Sequence, residues 1–265
     1  MKISRDNVTK AFNDFVNEYD TSNEMIHLKS VHTLKVASNC DAIARSLDLN
    51  EEEIDLGWLI GMCHDIARFR QFTEYGTFND AVSIDHAELG CKLLFDEGLI
   101  FNFIDESAAT DYELSLIDKA IRYHSLYRLP EDLTKEELMY CNIIRDADKI
   151  DIFRVSVEEP INNVYSATRE ELLNSEISPK VMEAFYEHHA ILRKLRQNML
   201  DVKVGHVSLA FELVYNRSKE LAVEQGYIFK IIEDDYTKEA TLKQVALIQQ
   251  ELKEYLLLYR RADST

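Results

Sequence analysis

A His64-Asp65 doublet closes an apolar helical stretch in this chain of 265 residues. His32 lies upstream of it, and His86, His124 and Asp148 lie downstream, each in or beside a segment of helical periodicity. Four imidazoles and two carboxylates supplied by separate helices are the nitrogen and oxygen donors that one or two divalent metals need. Taken singly, each has a plainer explanation: a lone histidine on an apolar helix face is more often a hydrogen-bonded core residue than a ligand. The order and helical placement of all six together point to a metal site.

The surroundings of each residue refine the expectation. His32 shares a helical face with Val36, Ile43 and Leu47, so it points toward the core. Gly57 and Gly61 lie two turns and one turn before His64. A helical glycine costs about 1 kcal/mol relative to alanine, so the pair predicts another backbone passing close. His64 and Asp65 diverge by about 100° on a helix, and an aspartate in that position can bridge two metals about 3.5–4 Å apart. His86 falls in the first turn of a capped helix, after the loop phrase Tyr75-Gly76-Thr77-Phe78-Asn79-Asp80. The helix dipole there disfavours imidazolium and favours the neutral ligand form. His124 comes late in a helix that must end by Leu129, because the residue before Pro130 avoids helical angles. Asp146, Asp148 and Asp151 put three acids into six residues of an apolar helix, which is costly to bury unpaired. A metal, or pairing with Arg145 and Lys149, would offset that cost. Asp148 is in phase with Ile144 and Cys141 and is the inward candidate; Asp151 could support it, and Asp146 fits less well.

These residues must be positioned by helices. Seven glycines and three prolines are few for this length and favour long helices over many short strands. Helix starts are legible at Thr21-Ser22-Asn23-Glu24, Asn50–Glu53, Asp85–Glu88, Thr134–Glu137 and Thr168–Glu171, with Ser178-Pro179 as a further start. Only 202–207 alternates like a strand. Leu138, Cys141, Ile144 and Asp148 recur at helical spacing, as do Leu242, Val245, Ile248, Leu252 and Leu256 in a final helix after the acidic Glu233-Asp234-Asp235 loop. The expectation is one all-α domain over 1–265, with the site built by about 21–155 and a helical extension over about 156–265.

Composition excludes other classes. A formal net charge of −18 argues against a duplex nucleic-acid partner. It does not argue against a small phosphate substrate, because a bound metal dominates the local field. Four cysteines without a Cys-x-x-Cys pair read as reduced thiols and a cytoplasmic location. No apolar run approaches the roughly 20 residues of a membrane span, so no membrane partner is expected. Aromatic segments such as Phe185-Tyr186 are compatible with a homo-oligomer.

His32, the His64-Asp65 doublet and Asp148 within Ala147-Asp148-Lys149-Ile150 resemble the HD superfamily of metal-dependent phosphohydrolases. The match covers roughly residues 25–155. His86 and His124 fall where two-metal members place extra ligands. The HD-GYP group has Gly-Tyr-Pro shortly after the later histidines, whereas this chain reads Tyr127-Arg128-Leu129-Pro130, so a cyclic-dinucleotide substrate is not supported. The signature of a guanosine tetraphosphate hydrolase is also lacking.

The resemblance implies an HD-type multi-helix fold and hydrolysis of a phosphate ester or anhydride, on a nucleotide-like substrate, by a metal-activated water. His64 and Asp65 would be catalytic. His32, His64, Asp65 and Asp148 would hold one ion, and His86, His124 and a bridging Asp65 a second. The ions could be Mn, Fe, Mg, Co, Ni or Zn. Arg68, Arg122 and Lys149 are the candidate phosphate contacts. The alternatives are a non-catalytic nucleotide- or metal-binding sensor module on the same fold, and a plain helical scaffold with core histidines.

Overall fold

The computed structural model describes residues 1–160 and 168–262, with side chains through Leu256. The expected extension over about 156–265 therefore includes two stretches, 161–167 and 263–265, that lie outside the described residues. No strand occurs among the described residues, and the fold is all-α as expected. None of the described helices is long and apolar enough to cross a membrane. The chain divides into two compact units, Met1–Asp148 and Lys149–Thr265.

In the first unit, short polar side chains start the helices by accepting the backbone N–H groups that a first turn leaves unpaired. Asn23 caps α2 (Glu24–Ala44), Asn50 forms a reciprocal box with Glu53 at α3 (Glu51–Cys63), and Asp85 caps α5 (His86–Cys91). Thr134 and Glu137 exchange bonds at the start of α7 (Lys135–Glu158), which runs into the second unit. A box at Thr110–Glu113, which the sequence reading did not single out, starts α6 (Asp111–Tyr123). Helix α1 (Arg5–Val16) buries Val8, Phe12 and Val16, and the rings of Phe12 and Phe15 meet Phe69 of α4 (Ala67–Tyr75) edge-on at 6.0 and 5.8 Å.

Helices α2 and α3 pack antiparallel: Gly61 faces Ala37, and Gly57, earlier in α3, faces Ala44, later in α2. A side-chain carbon on Gly61 would lie 2.7 Å from the Ala37 Cα, so only glycine fits there. At Gly57 the nearest atom would be 3.7 Å away, an ordinary contact. The close passage expected from both glycines is made at one. Helix α7 is tied to α2 by the Asn39 amide donating to the Ala147 carbonyl at 3.2 Å, and to α3 by the Tyr140 hydroxyl donating to the Glu53 carbonyl at 3.2 Å.

In the second unit follow α8 (Arg169–Leu173), α9 (Pro179–Phe185), α10 (Met199–Val207), α11 (Asn216–Gln225), α12 (Tyr227–Lys230) and α13 (Glu239–Ala262). The stretch 202–207, with its strand-like alternation, is helical within α10, where Val204 and Val207 are buried. Asp201, fully buried on α10, accepts from the Ser178 N–H, the Ser178 hydroxyl and the Gln197 N–H at 2.7–2.8 Å, so its oxygens are satisfied while it pins the start of α9. Two apolar positions leave their expected stripes. Leu242 is exposed while Val245, Ile248, Leu252 and Leu256 are buried, and Leu138 is exposed while Cys141 and Ile144 are buried. At about 100° per residue, Leu242 is about 80° round the helix from Leu252, and Leu138 about 120° from Ile144.

Candidate metal centre

His64 caps the C-terminal end of α3, and Asp65 follows it in the turn that leads to α4. His32 faces them from α2, His86 is the first residue of α5, His124 caps the end of α6, and Asp148 comes from α7. The four histidines and Asp65 are buried, and the Asp148 side chain is 18% exposed. The six residues converge on one place. Asp65 Oδ2 lies 3.6 Å from His32 Nε2 and 3.7 Å from His64 Nε2. Its other oxygen, Oδ1, lies 3.5 Å from His86 Nε2 and 3.9 Å from His124 Nε2. Asp148 Oδ1 completes the first side at 3.2 Å from His32 Nε2. One carboxylate thus divides two pairs of imidazoles.

The opposite ring nitrogens show which way the lone pairs point. His64 Nδ1 donates to the Gly61 carbonyl at 2.8 Å and His124 Nδ1 to the Ile121 carbonyl at 2.6 Å. His86 Nδ1 donates to the Asp80 carboxylate at 2.6 Å. A neutral imidazole that donates from Nδ1 has its lone pair on Nε2. Burial lowers the His64 pKa; burial, with His86 and His64 nearby, brings His124 down to about 3. Both are therefore neutral near pH 7, the form that ligates metals. His64 Nε2 is buried with no hydrogen-bond partner. His86 Nε2 and His124 Nε2 face each other at 3.0 Å, lone pair toward lone pair unless a cation or a proton lies between. An orphaned buried nitrogen and two opposed nitrogens beside ionised carboxylates fit a divalent cation in both donor type and polarity. The donors of His32, His64 and Asp148 lie within 4.8 Å of one another, as do those of His64, Asp65 and His124.

The carboxylates are ionised against the cost of burial. Burial pushes Asp65 upward, but the Lys29 ammonium, with His64 and the Arg68 guanidinium, holds it well below the usual carboxylate range. Burial also opposes ionisation of Asp148, and its hydrogen bond with His32 brings it down.

Residues 30–152 match the family model described as HD domain. The chain carries an HD domain. The matched span takes in all six convergent residues, and the HD superfamily is one of metal-dependent phosphohydrolases. No curated protein and no solved structure matches the chain.

Within the HD domain the expected phosphate contacts have other engagements. Arg68 reaches Asp65 Oδ1 at 3.3 Å and Gln71, the Phe78 carbonyl and Asp80 at 2.8 Å each, so its guanidinium braces the ligand shell. Arg122 pairs with Asp118 and Glu88. Lys149 follows Asp148 on α7 and is buried. Asp151, expected beside Asp148, forks onto Arg154 at 2.7 and 2.9 Å. Arg145 donates to the Tyr123, His124 and Leu126 carbonyls and so caps the end of α6 that carries His124.

Two residues of the site escaped sequence reasoning. Lys29, whose Nζ lies 2.7 Å from Asp65 Oδ2, sits one turn before His32, and that spacing was the available signal. Asp80, which orients His86, comes from a short 3₁₀ turn, and no periodicity marks it.

Proposed function

We propose that this protein hydrolyses a phosphate ester or anhydride bond of a small nucleotide-like molecule and does so with one or two bound divalent metals. The observation that carries the reading is the Asp65 carboxylate, whose two oxygens face two separate pairs of imidazole nitrogens. His32, His64, Asp65 and Asp148 would hold one ion; His86, His124 and Asp65 would hold a second. Bound there, a divalent ion supplies Lewis acidity toward phosphoryl oxygens and a water acidified to act as nucleophile near neutral pH.

The chain's own residues prepare that chemistry. The Gly61 and Ile121 carbonyls and the Asp80 carboxylate keep the protons of His64, His124 and His86 on Nδ1, so each Nε2 lone pair is fixed inward before anything binds. Lys29 and Arg68 keep Asp65 ionised, and Arg68 locks its orientation through Asp80. Such preorganisation removes reorganisation cost from the reacting state. Lys149, the residue after Asp148 on α7, is the one we assign to the substrate phosphate.

The test is phosphate or pyrophosphate release from a nucleotide panel with added Mn²⁺ or Mg²⁺. Wild-type protein should turn over at least one member, and Asp65→Ala should lose roughly 10³-fold or more, the scale of removing a group that organises transition-state charge. Activity within tenfold of wild type in Asp65→Ala would refute the assignment.

A further inference from the structure

We infer that Lys29 and a divalent ion exchange at a single oxygen, Asp65 Oδ2, so that metal loading releases the Lys29 ammonium. The inference rests on the metal-centre reading and deepens it. Oδ2 is the Asp65 oxygen that faces His32 and His64, and it is also the oxygen that Lys29 Nζ holds at 2.7 Å. Among the described residues, Asp65 is the only hydrogen-bond or ion-pair partner of Lys29; otherwise the ammonium meets the Phe78 ring, 5.2 Å from its centroid.

The two cations on Asp65 are built differently. Arg68 is strapped by Gln71, the Phe78 carbonyl and Asp80 in addition to Asp65. Lys29 has a flexible four-carbon stem and a side chain 15% exposed, so it can withdraw toward solvent. An ammonium and a dication sharing one carboxylate oxygen repel, and the Asp65 side chain is only 3% exposed, so water and salt screen that repulsion weakly. Without metal, the same ammonium compensates a buried carboxylate that would otherwise be costly. Lys29 therefore stabilises the metal-free protein and opposes metal binding. A residue that merely shaped the site would support both. The released ammonium also adds a donor for an anionic oxygen entering the occupied site.

Reductive methylation of wild-type protein, with Mn²⁺ and after chelation, reads the exchange by peptide mass spectrometry. Exposed Lys35 serves as the internal reference. Lys29 labelling should rise severalfold with Mn²⁺ while Lys35 labelling stays constant. Unchanged Lys29 labelling in protein that titration shows to bind Mn²⁺ overturns the exchange and leaves the metal centre standing. Protein that binds no Mn²⁺ overturns both. In parallel, Lys29→Met should lower the melting temperature of chelated protein and tighten Mn²⁺ binding by about tenfold, or ~1.4 kcal/mol. Weaker Mn²⁺ binding by Lys29→Met also overturns the inference, since the ammonium would then assist the metal.

Discussion

At the scale of single residues, the site depends on where protons sit as much as on which donors converge. The His86 ring is oriented by its Nδ1–H donating to the Asp80 carboxylate, which turns Nε2 toward Asp65. Removing that support should weaken metal binding without removing a ligand. Asp80→Ala is expected to lower Mn²⁺ affinity by about 10–100-fold, measured by calorimetric titration; unchanged affinity would show that the ring is oriented by packing alone. The buried thiols give a second expectation. Burial pushes Cys63 and Cys141 up to about 12, from an ordinary value of 9.0. At pH 8.5 the native protein should resist a thiol reagent that labels all four cysteines after denaturation. These raised values contribute no pH dependence below about 9. As pH rises from there toward 12, unfolded thiols ionise while native ones do not, and stability falls by roughly 1.4 kcal/mol per unit per thiol. A denaturation midpoint that stays flat from pH 8 to 10.5 would contradict this.

The convergence of His32, His64, Asp65, His86, His124 and Asp148 could be anticipated because each sits on or at the end of a helix, where phase says which way it faces. The role of Arg68 could not. Its position one turn past His64 puts it within reach of the pocket, but the loop after Gly76, where φ is +66°, brings the Phe78 carbonyl and Asp80 back onto it. Contacts made by an irregular loop leave no period in the sequence, and Asp80 was missed for the same reason.

At the scale of elements, the α2–α3 pair carries His32 and His64, with Asp65 in the turn just past it, and its spacing is set at Gly61. Gly61→Ala would drive a methyl into the Ala37 backbone and is expected to cost about 1–3 kcal/mol, as overpacking does. Gly57→Ala meets only ordinary contacts and should be neutral or stabilise by up to ~1 kcal/mol through helix propensity. Urea denaturation of the two variants checks the pair; equal effects would mean that the helices do not touch as described. The helix starts were readable because capping is a local exchange between residues three apart, as Asn50 with Glu53 shows. Leu138 and Leu242 share the helical spacing of their buried neighbours yet are exposed, because three- and four-residue spacing fixes an apolar stripe without fixing where packing along it begins. The stretch 202–207 alternates by chance of composition, and the Asn198 cap on Asp201 N–H draws it into a helix.

At the scale of the whole molecule, a chain of net charge −18 holds a small convergent cluster of four imidazoles and two acids, whose donors suit a divalent cation. Metal binding to the folded state should appear as added stability, about 2.7 kcal/mol at a hundredfold excess over the dissociation constant. Mn²⁺ should raise the melting temperature of wild-type protein, chelator should reverse the shift, and Asp65→Ala should show none. The division into units at residue 148 falls within α7, so sequence periodicity, which runs unbroken along that helix, gives no sign of it.

The donors around Asp65 are expected to bind divalent metal. Anomalous diffraction from crystals grown with Mn²⁺ tests this most directly. At least one strong peak is expected among the Nε2 atoms of His32 and His64 and the carboxylates of Asp65 and Asp148. An Mn²⁺-saturated crystal with no peak there, and those side chains bonded only to one another, would contradict it.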